Sequence, residues 1–180
     1  MAKVVTIAGS PSSLSRTSTL MEFAKQQLER AGHAVDAIVV RNLNAEELIF
    51  GQFDGASIAP SRALVEAAKG VIIATPVYKA AYSGVLKTFL DILPPNALSN
   101  KVVLPIVSGG APIHMLSLDY ALKPVLAALG ASQILNGLFL IDNQFDYKDG
   151  LRFIVPEVEE KFRAALSEFA MLLGNHTSPL

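Results

Sequence analysis

Residues 70–93 read GVIIATPVYKAAYSGVLKTFLDIL, and the change of pattern inside this stretch decides the fold. From Gly70 to Thr75 the chain is apolar and β-branched without alternation, as in a strand covered on both faces. Residues 83–93 then read as a helix. Moving outward, four more apolar runs suit strands, at 3–8, 34–40, 101–107 and 133–141, and helical stretches fall at 17–31, 61–69, 115–129 and 156–173. In the first helix Leu20, Phe23, Ala24, Leu28 and Ala31 share one face, and Gly32 follows as a stop signal. Near-continuous strands alternating with helices predict an α/β three-layer sandwich, a five-stranded parallel sheet with helices on both faces.

The chain has 180 residues, 51% of them hydrophobic, enough for one α/β core and too few for two ordinary domains. One domain is expected over 1–174, with a short polar tail at 175–180. Fifteen basic residues against sixteen acidic leave a net charge of −1, which points to small molecules and proteins as partners rather than nucleic acid or a membrane surface. Without cysteine there are no disulfides, thiol nucleophiles or sulfur-ligated metals. The N-terminal MAKVVTIAG is too short for a signal sequence, and no apolar stretch suits a bilayer span, so a soluble cytoplasmic protein is expected.

For five strands the natural order is 2-1-3-4-5, in which ligands bind at the carboxyl ends of strands near the switch point. That rule selects the loops after Ala8, Thr75 and Val107. The first, GSPSSLSRTS at 9–18, offers the hydroxyls of Ser10, Ser12, Ser13, Ser15, Thr17 and Ser18, the Arg16 fork and a helix start. Together these suit a phosphate; a helix cap and a turn are the plainer alternative. Neither GxGxxG nor GxxxxGK[ST] is present. In the second loop Pro76 stiffens a segment able to lie along a flat ring, and the N–H groups of Val77, Tyr78 and Lys79 suit the ring's polar edge. Tyr78 and Tyr82 either cover that ring or pack as half-buried surface residues. The third loop, SGGAP at 108–112, lets backbone pass close to a ligand or merely turns.

GSPSSLSRTS, TPVYKAAYSGVLKTFLDILP (75–94), the SGG loop and HMLSLDYALKPVLAALGA (114–131) together resemble the flavodoxin-like NADPH-dependent FMN reductases of two-component alkanesulfonate monooxygenase systems. The similarity runs from about Val4 to Phe139; the residues after Asp142 match no motif. The resemblance implies FMN and NADPH as cofactors and release of reduced FMN to a flavin-dependent monooxygenase in sulfonate sulfur assimilation. It implies that Ser10, Ser15, Arg16, Thr17 and Ser18 hold the FMN phosphate and that Pro76, Val77, Tyr78 and Lys79 lie along the isoalloxazine. It also implies that Ser108, Gly109 and Gly110 form the third wall, with Ser108 where the family's threonine is expected. A flavin-retaining quinone or azo reductase is the rival within the fold. An electron-carrier flavodoxin fits less well, since such carriers are strongly acidic.

Hydride transfer between nicotinamide and flavin is the cofactors' own chemistry, so no catalytic side chain and no metal are expected. His33 and His176 read as surface or structural residues, and His114 as a helix start or a border of the nicotinamide pocket. Asp91 reads as the ion-pair partner of Lys87 four residues earlier. Asp91 and Asp119 are the alternative acid/base carboxylates, and Lys123 stands with Lys87 as a weak candidate for the NADPH phosphate. Pro124 removes the N–H that would serve the Tyr120 carbonyl, so the helix has to kink or bulge there. The resemblance implies that Tyr120 is an inserted residue in a π-helix at a homotetramer interface near the flavin, where it promotes flavin handover.

Overall fold

The computed structural model describes residues 1–174; the expected tail at 175–180 and His176 lie outside them. In chain order the elements are β1 (Lys3–Ala8), α1 (Arg16–Arg30), β2 (Ala34–Val39), α2 (Ala45–Ile49), α3 (Ile58–Ala67), β3 (Gly70–Tyr78) and β4 (Ala81–Tyr82). There follow α4 (Gly84–Asp91), β5 (Val102–Gly109), a π-helical turn (Leu118–Leu122), α5 (Lys123–Ala128), β6 (Gln133–Ile134), β7 (Leu138–Ile141), β8 (Phe145–Asp146), β9 (Arg152–Phe153) and α6 (Pro156–Leu172). The main sheet runs β2-β1-β3-β5, with β6 and β7 both beyond β5. The flavodoxin-like order is therefore as expected.

The strand count is not. The sheet has seven strands rather than five, for two local reasons. The β3 strand continues past Thr75 and folds back as the short antiparallel β4. The expected last strand, 133–141, is broken into β6 and β7. The Val103 carbonyl accepts from Leu135 at this edge, so Pro105, two residues on, faces the same edge and has no N–H to offer. Gly137 crosses the gap at φ 79°, and a Cβ there would come within 2.6 Å of the Pro105 carbonyl oxygen. No other residue type fits that crossing.

Alternation along each strand builds two cores. Val71 and Ile73 of β3 face Ile58, Val65, Leu86, Phe89 and Leu122, while Ile72 and Ala74 face Leu20, Leu28, Phe162, Leu166 and Phe169. Phe89, Phe162 and Phe169 are fully buried, each stabilising the fold by roughly 1.5–3 kcal/mol through burial. The sequence reading missed the small elements α2, β8 and β9. Among the described residues no helix is long and apolar enough to cross a membrane.

Candidate functional site

The carboxyl ends of β1, β3 and β5 converge on a pocket of about 170 Å³. The first loop contributes Ser10, Ser15, Arg16 and Thr17, the second Pro76, Val77 and Tyr78, and the third Ser108, Gly109 and Gly110. Ser18 and Lys79 do not line it. Ser18 borders a small separate cleft beside Thr6 and Met21, and Lys79 is exposed at the tip of the β3–β4 turn.

Ser15 both caps α1 and lines the pocket. It is the N-cap of α1, accepting from the Ser18 N–H at 3.4 Å, and its hydroxyl lies 2.9 Å from that of Thr17. The Ser10 hydroxyl accepts from the Ser12 N–H at 3.2 Å. The first turn of α1 adds N–H groups that the helix itself leaves unused, at the positive end of its dipole. Gly9 lets this loop press against α4, since a Cβ there would meet the Leu86 Cβ at 2.6 Å.

In the second loop the turn between β3 and β4 places Lys79 (φ 51°) and Ala80 (φ 64°) in the left-handed region, the geometry of a two-residue hairpin. Tyr78 is 47% exposed beside the pocket. Tyr82 is half-buried, and burial pushes its phenol above the usual range, with Asp91's charge adding to the rise and Lys87's opposing it. Thr75 fixes the base of the loop, donating to the Pro76 carbonyl at 2.9 Å and accepting from the Ser83 N–H at 3.0 Å. In the third loop a Cβ at Gly109 would meet the Phe139 ring at 3.2 Å, whereas Gly110 faces open space.

Two pocket residues come from outside the three loops that the sequence selected. Asp142 follows β7, and Tyr147 lies in the β8–β9 turn. The Arg16 Nε stands 3.7 Å from the Asp142 Oδ1, and the guanidinium carbon lies 4.5 Å over the Tyr147 ring. That Nε is buried with no hydrogen-bond partner. Asp142 was within reach of the same rule that chose the other loops, because it stands at the carboxyl end of the last strand. Tyr147 carried no such signal.

The remaining candidates separate from the pocket. Lys87 holds Asp91 at 2.6 and 2.8 Å, and Lys123 holds Asp119 at 2.6 Å, so these carboxylates sit in exposed helical ion pairs. His33 is buried, and burial lowers its imidazole below the usual range, with the terminal ammonium acting in the same direction. His114 lies in a 3₁₀ turn (Pro112–Met115), does not line the pocket, and keeps a buried Nδ1 without a partner. Among the described residues no cluster of His, Asp and Glu is arranged to hold a metal. The π-helical turn carries Tyr120, 79% exposed, and packs beside β4. Of the two outcomes Pro124 allowed, the chain adopts the bulge.

The family model of the NADPH-dependent FMN reductases matches residues 2–146. An FMN reductase (NADPH) of Pseudomonas putida is 44% identical over 98% of this chain and 91% of its own length. Its counterpart in Escherichia coli is 45% identical over 93% of this chain and 87% of its own. Among solved structures, an apo NADH:FMN oxidoreductase (EMOB) superimposes with a TM-score of 0.88 at 35% identity, covering 99% of this chain and 94% of that one.

Proposed function

Because the chain belongs to the NADPH-dependent FMN reductase family, we propose that the pocket at the carboxyl ends of β1, β3 and β5 is where it takes up FMN and parts with it again. The overall activity is NADPH-dependent reduction of FMN. The observation that carries the site assignment is Arg16: a buried guanidinium nitrogen without a hydrogen-bond partner, set among serine and threonine hydroxyls at a helix N-terminus. That donor set fits a phosphate monoester.

A bound flavin would supply the ring that takes up hydride from a nicotinamide; the protein's part is placement. Ser10, Ser15, Arg16 and Thr17 hold the phosphate end, with Ser18 supporting Ser15 through its N–H rather than lining the pocket. Pro76, Val77 and Tyr78 flank the ring, and Ser108, Gly109 and Gly110 close the far side. Lys79 serves this loop as a turn residue, through its backbone. In line with the resemblance carried by the loop motifs, reduced FMN passes to a flavin-dependent monooxygenase, in sulfonate sulfur assimilation, within the cytoplasm. The exposed apolar residues Ile113, Met115, Leu116 and Tyr120 form a patch suited to a homotetramer interface beside the site.

The test follows NADPH and NADH oxidation with and without added FMN, FAD or riboflavin, and measures mass in solution by light scattering. Oxidation that requires free flavin, fastest with NADPH and FMN, supports the reading. A protein that stays yellow and turns over without added flavin would overturn release, and a monomer would overturn the interface.

A further inference from the structure

We propose that Asp142 is a built-in rival to the flavin phosphate, pairing with Arg16 so as to loosen the grip on FMN and set how far FMN is preferred to riboflavin. The inference rests on the reading of the first loop as the phosphate site. Asp142 and Arg16 line the same pocket, with 3.7 Å between carboxylate oxygen and Nε and equal side-chain exposures of 35%. The contact is Coulombic rather than a bidentate fork, because that Nε makes no hydrogen bond. A phosphate brought to Arg16 therefore faces a carboxylate of its own sign a few ångströms away.

In the closed sheet, local structure sets both groups side by side. Asp142 opens a 3₁₀ turn directly after β7, where the Ile141 N–H donates to the Gln144 Oε1 at 2.9 Å. The Tyr147 ring lies against the guanidinium face at 4.5 Å and restrains it. A site built only to hold an anion would gain nothing from this carboxylate. A site that has to let the anion go gains a faster exit. Oxidised and reduced FMN carry the same phosphate, so the effect falls on binding and release of both and not on hydride transfer.

At an effective dielectric of about 40, between the near-surface and bulk-water values, one like charge about 6 Å from the phosphate corresponds to a change in affinity on the order of tenfold. The experiment titrates FMN and riboflavin by flavin fluorescence against the parent protein, Asp142→Asn, Asp142→Ser, Asp142→Glu and Arg16→Ala, with folding checked by circular dichroism. The two neutral variants are expected to bind FMN about tenfold more tightly and release it more slowly, with riboflavin within about twofold of the parent. Asp142→Glu keeps the charge and stays near the parent. If Arg16→Ala weakens FMN selectively but the neutral variants bind FMN no better than the parent, the rivalry is overturned while the phosphate reading stands. If Arg16→Ala weakens FMN and riboflavin equally, the phosphate reading fails and takes this inference with it. Failure of both neutral variants to fold makes the carboxylate structural and also overturns the proposal.

Discussion

Ser83 donates its hydroxyl hydrogen to the Gly9 carbonyl, while its oxygen accepts the Leu86 N–H at 3.0 Å. One side chain thus caps α4 and fastens the first loop to the second across 74 residues of sequence. Thr75 joins the same knot through the Ser83 N–H.

Replacing Ser83 with alanine leaves a buried carbonyl without its donor and α4 without its cap, a loss of roughly 1–3 kcal/mol. Urea unfolding should show that loss, together with weaker flavin binding, because both tied loops border the pocket. Unchanged stability would mean that water substitutes for the hydroxyl.

Tyr78 is half-exposed at the pocket's edge, so Tyr78→Ala should cost the fold little, within about 0.5 kcal/mol. Stopped-flow mixing with NADPH should show slower hydride transfer, since the ring would lose support where the hydride arrives. An unchanged rate would make Tyr78 an ordinary surface residue.

Deleting Tyr120 should turn the π-helical turn of residues 118–122 into regular helix. The variant is expected to purify with FMN bound and to supply reduced flavin poorly to an oxygenase. A folded, colourless variant that reduces free FMN at the parent rate would contradict the handover role.

The buried His33 has its imidazole lowered from the ordinary value near 6.5. Its neutral form is therefore favoured in the folded state. The stability this represents is fully present above 6.5 and is lost as pH falls toward the lowered folded value, because the unfolded chain takes up the proton first. Melting temperatures between about pH 7.5 and 5 should decline, and His33→Gln should flatten the decline. An identical slope in the variant would assign the pH dependence to other groups.

Much of the fold was legible because burial writes itself into composition. The unbroken apolar run at Gly70–Thr75 leaves few alternatives to a central parallel strand, and the strand-end rule then leads to the three loops. Pro124 announced the helical irregularity through the hydrogen bond it cannot make. What stayed hidden depended on partners distant in sequence. Gly137 looks like any glycine until Pro105 is seen opposite it. The Lys79–Ala80 turn carries no glycine to mark it. Tyr147 reaches Arg16 only because the β8–β9 hairpin folds back over the first loop, and nothing local to DNQFDYKDG encodes that return.

The break between β6 and β7 also divides the edge of the sheet into two pieces that need not melt together. The β6 strand is bonded to the amino end of β5 and β7 to its carboxyl end, with Leu104 and Pro105 unpaired on that side. A rupture of the outer piece therefore stops at Gly137 instead of unzipping inward, as expected of separate opening units. Amide protons of Leu138–Ile141 should exchange with solvent sooner than those of β5, and each such breath would carry Asp142 away from Arg16 while the rest of the sheet stays closed.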